Sequence, residues 1–235
     1  MSKVLRFSEF EEVFDYRITH ENSKHSVLYL KTRVSENQFT NTDSFIGKVI
    51  KADVFDEAYD EETTKYIKNV FLGIIDKVLI NFEDNAYCEV FAHSFSELMD
   101  SDKKNRIFQN QKKTLLDILK TVCDYDGIVL KGDGAESIAV PTPIIQYRET
   151  DWQFMLRLCK QFGCKVSISH DFDSEKEGTI WIGEIERKPI EIQFNQIISK
   201  VYEGELSFVY FQDDNIYEVG DIVSLNNKNY SICSC

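Results

Sequence analysis

Pro143 to Ser169 reads PIIQYRETDWQFMLRLCKQFGCKVSIS, and its punctuation predicts a strand, a helix and a second strand in succession. Pro141 and Pro143 keep the approach extended, because the residue before a proline is pushed out of the α region. Ile144, Ile145 and Tyr147 then supply strand-forming side chains, and the strand ends near Arg148. Thr150 and Gln153 have the spacing of a capping box, in which the hydroxyl takes the Gln153 N–H and the Gln153 side chain reaches back to the N-cap N–H. The helix therefore starts at Asp151, whose carboxylate suits the positive end of the helix dipole. Trp152, Met155, Leu156, Cys159 and Phe162 recur at the spacing of one buried helix face, widened by Phe154 and Leu158. Gly163 stops the helix, and Val166 and Ile168 then alternate with Lys165, Ser167 and Ser169 as in a half-buried strand.

Upstream, residues 101–113 are polar apart from Ile107 and Phe108, and a second helix follows over 115–125. Thr114 caps it with Asp117 at N3, Leu115, Ile118, Leu119 and Val122 form its stripe, and Gly127 ends it. Thr114, Asp117, Cys123 and Gly127 precede Thr150, Gln153, Cys159 and Gly163 by a constant 36 positions. An internal duplication and the same capping rules acting twice both account for that offset.

These two stretches also carry a resemblance. The run Gln146-Tyr147-Arg148-Glu149-Thr150-Asp151, followed by the aromatic Trp152, Leu156, Arg157-Leu158 and Gly163, is similar to the "QYRETD…F…RL…G" signature of contractile-injection hub proteins. That family includes the late control D proteins of contractile phages and the valine-glycine-repeat protein G of type VI secretion. Arg106-Ile107-Phe108-Gln109-Asn110 with Asp117-Ile118-Leu119 resembles its "SRIFQ…DIL" word, and Phe71-Leu72-Gly73-Ile74-Ile75 loosely resembles an "F-x-G-x-V/I" barrel strand.

On either side of this centre the pattern is β. Residues 26–34 alternate, with Leu28, Leu30 and Val34 on one face against Lys31 and Arg33; residues 45–55 and 85–93 form further runs. Residues 66–82 are long for one strand, and Gly73 at their middle predicts a bulge or sharp bend. After an acidic hairpin loop over 170–178, strands are expected at 179–183, 197–202, 205–211, 222–225 and 230–233. The turns Asp213-Asp214-Asn215 and Asn226 to Asn229 separate the last of them. The fold class expected is β-rich α+β, two small antiparallel β-barrel-like domains with an intervening strand-helix-strand region.

Length and composition bound the function. A chain of 235 residues with 43% hydrophobic and 13% aromatic content buries a substantial core. No apolar run approaches the ~20 residues of a membrane span, and MSKVLRFSEF lacks the apolar region of a signal peptide, so membrane insertion is not expected and synthesis is expected in the cytoplasm. A net charge of -13 disfavours a bound nucleic acid, since phosphate affinity rests on clustered Lys and Arg. None of the six cysteines sits in a C-x-x-C pair, and His20, His25, His93 and His170 do not cluster with them at zinc-ligand spacing; most of the cysteines are read as small buried hydrophobes. His170, Asp171 and Asp173 are read as a solvated loop rather than a metal site, and no cofactor, metal ligand or catalytic residue is expected.

The resemblance implies a structural hub: a first barrel over residues 1–98, a helical region over 99–186 and second-barrel strands over 187–235. It implies a homotrimer whose barrels imitate six-fold symmetry, with a tail tube protein above, a spike protein or spike domain below and other baseplate proteins around it. DNA would at most pass through the channel, and assembly would be into a phage tail or a tail-like particle. Hub proteins usually continue into an oligosaccharide-binding-type barrel and spike, so a short hub or a truncated chain is expected here. The assembly motif carried over comprises Arg106, Ile107, Phe108, Gln146, Tyr147, Arg148, Glu149, Thr150, Asp151, Trp152 and Gly163. The alternatives are a tail-associated cell-wall hydrolase, with Glu184/Glu186 or Asp171/Asp173 as its carboxylate pair, and a carbohydrate-binding module.

Overall fold

Alternating apolar side chains build the first sheet of the computed structural model, which describes residues 2–33, 44–57, 64–81, 87–110, 112–132, 135–140, 143–169, 178–183, 189–192, 197–203, 206–212, 217, 219, 221–225 and 228–235. Its strands are β1 (Ser2–Phe7), β2 (Val13–Thr19), β3 (Val27–Thr32), β4 (Val49–Glu57), β5 (Lys65–Asn81) and β6 (Tyr87–Ser94). They are antiparallel in the order β1-β4-β5-β6-β3-β2. The inner face of β3 and β6 is Leu28, Leu30, Cys88, Val90 and Ala92, all fully buried.

The sheet curls, and β5 is the reason. Its first half pairs with β4 up to Ile74, and its second half pairs with β6 from Gly73 onward, so the two neighbours overlap only around Gly73 and Ile74. A Cβ on Gly73 would stand 2.2 Å from the carbonyl oxygen of His93, which is why only glycine fits at this crossing. The expected bulge lies two residues further on, where the register shifts between Ile75 and Lys77. The curl brings the two edge strands back together: the rings of Phe7 on β1 and Tyr16 on β2 are 5.7 Å apart.

The centre of the chain has its own core. A 3-10 helix (Phe95–Asp100) leads out of β6 into β7 (Lys104–Phe108), α1 (Leu115–Val122), β8 (Ile128–Gly132), β9 (Ile144–Glu149), α2 (Asp151–Gln161), β10 (Val166–Ser169) and β11 (Gly178–Ile182). Leu115, Ile118, Leu119 and Val122 of α1 pack with Phe154, Met155, Leu158 and Cys159 of α2 over Val166, Ile180 and Ile182. β10, β11 and β8 form one small sheet in which β11 and β8 run parallel, and β7 with β9 forms an antiparallel ribbon.

Several expectations change here. The first helix ends at Val122 with Cys123 as its C-cap, so Gly127, at φ +81°, serves the turn into β8 rather than the helix stop. β10 is buried on both faces, not half-buried, and the turn at Ser23 meets its edge by donating its N–H to the Val166 carbonyl. β7 lies in a stretch whose polar composition hid a strand, because its cations face inward.

The last strands are β12 (Ile190–Glu191), β13 (Ile197–Glu203), β14 (Leu206–Phe211), β15 (Ile222–Leu225) and β16 (Lys228–Ser231). β12 joins β15 in parallel, whereas β15 with β16 and β13 with β14 are antiparallel. Ile192, Val223, Leu225 and Ile232 form a third apolar cluster. The chain then returns to the first sheet, where His20 and Cys235 exchange two backbone hydrogen bonds of 2.8 Å. The whole is a β-rich α+β fold built on a curled antiparallel sheet. Pro141, the loop with His170, Asp171 and Asp173, the pair Glu184 and Glu186, and the turn residues Asp213 to Asn215, Asn226 and Asn227 lie outside the described residues.

Candidate functional site

The two motif words meet on one side chain. Asp151, at the first position of α2, is 0% exposed. Thr150 caps the helix from its side chain to the Gln153 N–H (3.1 Å), with Gln153 returning to the Thr150 N–H (3.3 Å), and this fixes the direction in which Asp151 enters the core. Period-2 alternation on β7 turns Lys104 and Arg106 inward to meet it: Lys104 Nζ lies 2.7 Å from Oδ2 and Arg106 Nη1 2.5 Å from Oδ1. Gln146, buried on β9, donates to Oδ1 at 2.8 Å and to the Glu149 carbonyl at 3.1 Å. Tyr125, just after α1, donates its hydroxyl to Oδ2 at 2.7 Å and accepts from Lys104 at 2.7 Å.

Burial opposes ionisation of Asp151, but the hydrogen bonds from Lys104, Gln146, Tyr125 and Arg106 outweigh it and hold its pKa below the ordinary carboxylate value. Desolvation likewise works against the Lys104 charge, and the bonds to Asp151 and Tyr125 overcome it, raising its pKa. Both carboxylate oxygens are occupied by donors. The group is thus a lock on two strands and a helix, with no oxygen left to serve as a general base.

The other motif residues divide into those that hold the junction and those that face out. Phe108 stacks on Phe154 with centroids 5.6 Å apart, and Trp152 packs its ring 4.4 Å from that of His25 on the first sheet's side. Glu149 takes a two-pronged bond from Arg157 (2.7 and 2.7 Å), which also reaches the Ile145 carbonyl at 2.8 Å. Arg148 adopts φ +53° where the β7–β9 register slips, its N–H held by Asn105 Oδ1 at 3.0 Å. Gly163, at φ +72°, follows the C-cap Phe162. Ile107 and Tyr147 are brought to none of these contacts and stand 61% and 65% exposed.

Sequence reading missed Lys104, Tyr125, His25 and Asp100. The spacing of Lys104 two residues before Arg106 was a usable signal once β7 was read as a strand. Tyr125, His25 and Asp100 carried none, because their partners lie far off in sequence. Asp100 accepts from the Thr150 hydroxyl and stands 2.9 Å from His25 Nε2, while His25 Nδ1 is 2.8 Å from Ser96 Oγ. This Ser96-His25-Asp100 chain has the order of a nucleophile, a base and an acid, yet Ser96 is 2% exposed and its oxygen is also bonded to Ser94 at 2.9 Å. Cys88, Cys123 and Cys159 are buried as small hydrophobes, and burial first of all pushes the thiols of Cys123 and Cys159 up to about 12. Among the described residues no group of His, Cys, Asp or Glu is arranged to hold a metal ion, and no helix is long and apolar enough to cross a membrane.

Residues 32–183, which include the whole network around Asp151 and more than half of the chain, match the phage tail baseplate hub family. The chain belongs to that family. No curated protein sequence matches it. Among solved structures this hub chain is similar to the Escherichia coli c3393 protein, a type VI secretion component described as resembling the T4 bacteriophage tail proteins gp27 and gp5. The TM-score is 0.67 at 14% identity, covering 98% of this chain and 71% of the other. It is also similar to a tail protein from Neisseria meningitidis MC58 (TM-score 0.57, 13% identity, 97% and 73% covered). A third likeness is to the 43 kDa tail protein of prophage MuSo2 from Shewanella oneidensis (TM-score 0.54, 13% identity, 96% and 74% covered). At these identities the likeness establishes the fold, and the family match establishes the baseplate hub role.

Proposed function

We propose that this hub chain is a structural adaptor in which three copies form a ring that joins a hexameric tail tube on one side to a trimeric spike on the other. The carrying observation is that Arg106, Gln146 and Asp151, three residues of the two motif words, are consumed in one another. A catalytic constellation leaves an acceptor or nucleophile open to substrate, whereas this one leaves a rigid junction. In this reading residues 1–98 and 187–235 supply two barrel-like units and 99–186 the region between them. The chain is made in the cytoplasm and assembled with other baseplate proteins into a phage tail or tail-like particle, DNA at most traversing the channel.

The reading of a cell-wall hydrolase has one observation to lean on, the Ser96-His25-Asp100 chain, and burial of the serine argues against it. The test is co-expression with the tube and spike proteins of the same particle. A complex with three hub copies per spike is expected from the purified assembly by light scattering. A monomer that binds neither partner but lowers the turbidity of a cell-wall suspension would overturn the adaptor reading.

A further inference from the structure

The β7–β9 ribbon is amphipathic in an unusual sense. Its cations Lys104 and Arg106 point inward to Asp151, and its outward face carries Ile107 (61% exposed), Ile145 (54%) and Tyr147 (65%). Ile107 and Ile145 are direct cross-strand partners, so the three side chains form one continuous patch. A one-residue slip of either strand would turn this face inward, but it would also tear Lys104, Arg106 or Gln146 from Asp151. The buried network therefore enforces an apolar outer surface, and such surfaces on folded proteins mark contact sites.

The charge at the patch identifies the occupant. The Arg148 guanidinium lies over the Tyr147 ring at 5.5 Å and, among the described residues, has no carboxylate partner. It sits on a chain of net charge -13. The same chain carries the complementary surface: an open groove of about 390 Å³ walled by Ile74 and Leu98 and rimmed by Asp76, Glu97 and Asp100. The Asp76 and Glu97 side chains are about half exposed; Asp76 lies 3.1 Å from His93 Nδ1 and Glu97 3.5 Å from His25 Nε2, so an incoming cation would share each carboxylate with an imidazole.

The geometry points to a head-to-tail contact between copies of this chain, in which the Tyr147–Arg148 corner of one subunit's ribbon enters the acid-rimmed groove of the next. Tyrosine and arginine are the residues that most often anchor interfaces, and a contact between two different patches repeats from copy to copy as a ring requires. This inference rests on the hub reading for the presence of several copies, and goes beyond it in naming the two faces.

Sedimentation velocity on the purified full-length chain over a concentration series tests it. Tyr147→Ser should weaken self-association about tenfold, the scale of a lost anchor, and the charge reversals Arg148→Glu and Glu97→Arg about fivefold each, since each turns an exposed attraction into a repulsion of similar size. Their melting curves should match the parent, since the three side chains are exposed. Arg148→Glu combined with Glu97→Arg should restore association. Unchanged association in the single variants, loss without rescue in the double variant, or a chain that stays monomeric throughout would each overturn the contact. Spike capture is measured in parallel: variants that self-associate normally but lose the spike would assign the ribbon to that partner instead. Variants that lose self-association while a spike still captures the parent in threes leave the hub reading standing.

Discussion

Asp151 in the helical centre and His20 beside the returning chain end are both buried ionisable groups, and the molecule treats them in opposite ways. Asp151 is surrounded by two cations and two neutral donors that keep it charged. His20 is bonded to Ser26 at 2.8 Å, and burial lowers its pKa to about 4 in spite of a hydrogen bond to the Val70 backbone, with Lys68 pushing the same way as burial. The first region uses a charge to orient two strands and a helix; the second merely tolerates a polar ring where β2 meets the C-terminal residues. A buried charge with its partners specifies geometry, while a buried neutral ring fills space and makes the fold sensitive to acid.

Removing Asp151 should have the largest effect. Asp151→Ala leaves Lys104 and Arg106 pointing into the core without their counter-ion, and a loss of about 3–5 kcal/mol is expected in denaturant unfolding. Asp151→Asn keeps the volume and one acceptor and should cost less. If Asp151→Ala unfolds at the parental midpoint, the network adds nothing to stability and the ribbon's orientation must have another cause.

Acid separates the two sites by their pH windows. His20 has a folded pKa below its unfolded value of about 6.5, so between that value and about 4 the unfolded chain binds the proton that the folded chain refuses. Its effect is a stability lost as pH falls through this window, up to about 3 kcal/mol. Asp151 also has a lowered pKa, so its contribution is intact above about pH 4, the ordinary aspartate range, and disappears only below it. Unfolding midpoints measured from pH 7 to 3 should thus fall in two stages, and His20→Gln should flatten the upper stage alone. One stage centred below pH 4 in the parent would show that His20 has no part in the acid sensitivity.

The caps offer a finer comparison, between two helices that look alike in sequence. Both capping boxes form, with bonds of 3.2 Å at Thr114–Asp117 and 3.1 Å at Thr150–Gln153. Only Thr150 also donates its hydroxyl to a distant carboxylate, Asp100. Thr114→Ala should cost about 1 kcal/mol, the ordinary worth of a cap, and Thr150→Ala about 1–2 kcal/mol, because Asp100 loses a donor as well. Equal losses by thermal melting would mean that the Asp100 contact adds nothing.

What is legible in the sequence follows the same division. Caps, helix stripes and strand alternation depend on neighbours two to four positions away, so α2, the capping boxes and the strands β3 and β9 can be read directly. Gly73 stands out as a special position, though its reason, contact with the His93 carbonyl across the sheet, does not. The Asp151 network is half legible: resemblance singles out Arg106, Gln146 and Asp151, but no local rule joins Arg106 to residues forty or more positions away in the chain. Lys104 is hidden by the rule that charged residues face water, which β7 breaks because its partner is a buried carboxylate. Tyr147 and Ile107 belong to the same motif words, yet only the fold distinguishes them as the outward members.

The smallest effect expected concerns charges that, unlike Asp151, stay in water. In the proposed ring three copies would bring together three times the -13 of one chain, while each exposed pair across it, such as the proposed Arg148 with Glu97, would contribute only about 0.5 kcal/mol. Apolar side chains must then supply most of the affinity, with charge choosing the face rather than driving association. Raising salt from 0.01 to 0.15 M shortens the Debye length from about 30 to about 8 Å. That removes long-range repulsion between copies but barely touches a close pair, so the associated fraction should rise modestly with salt. The folding stability of the monomer should change little over the same series, because Asp151 is fully buried and its close ion pairs are screened far less than exposed charges. An associated fraction that falls as salt rises would show that attraction between oppositely charged faces exceeds the repulsion of the whole, and Arg148 rather than the apolar patch would then dominate the contact.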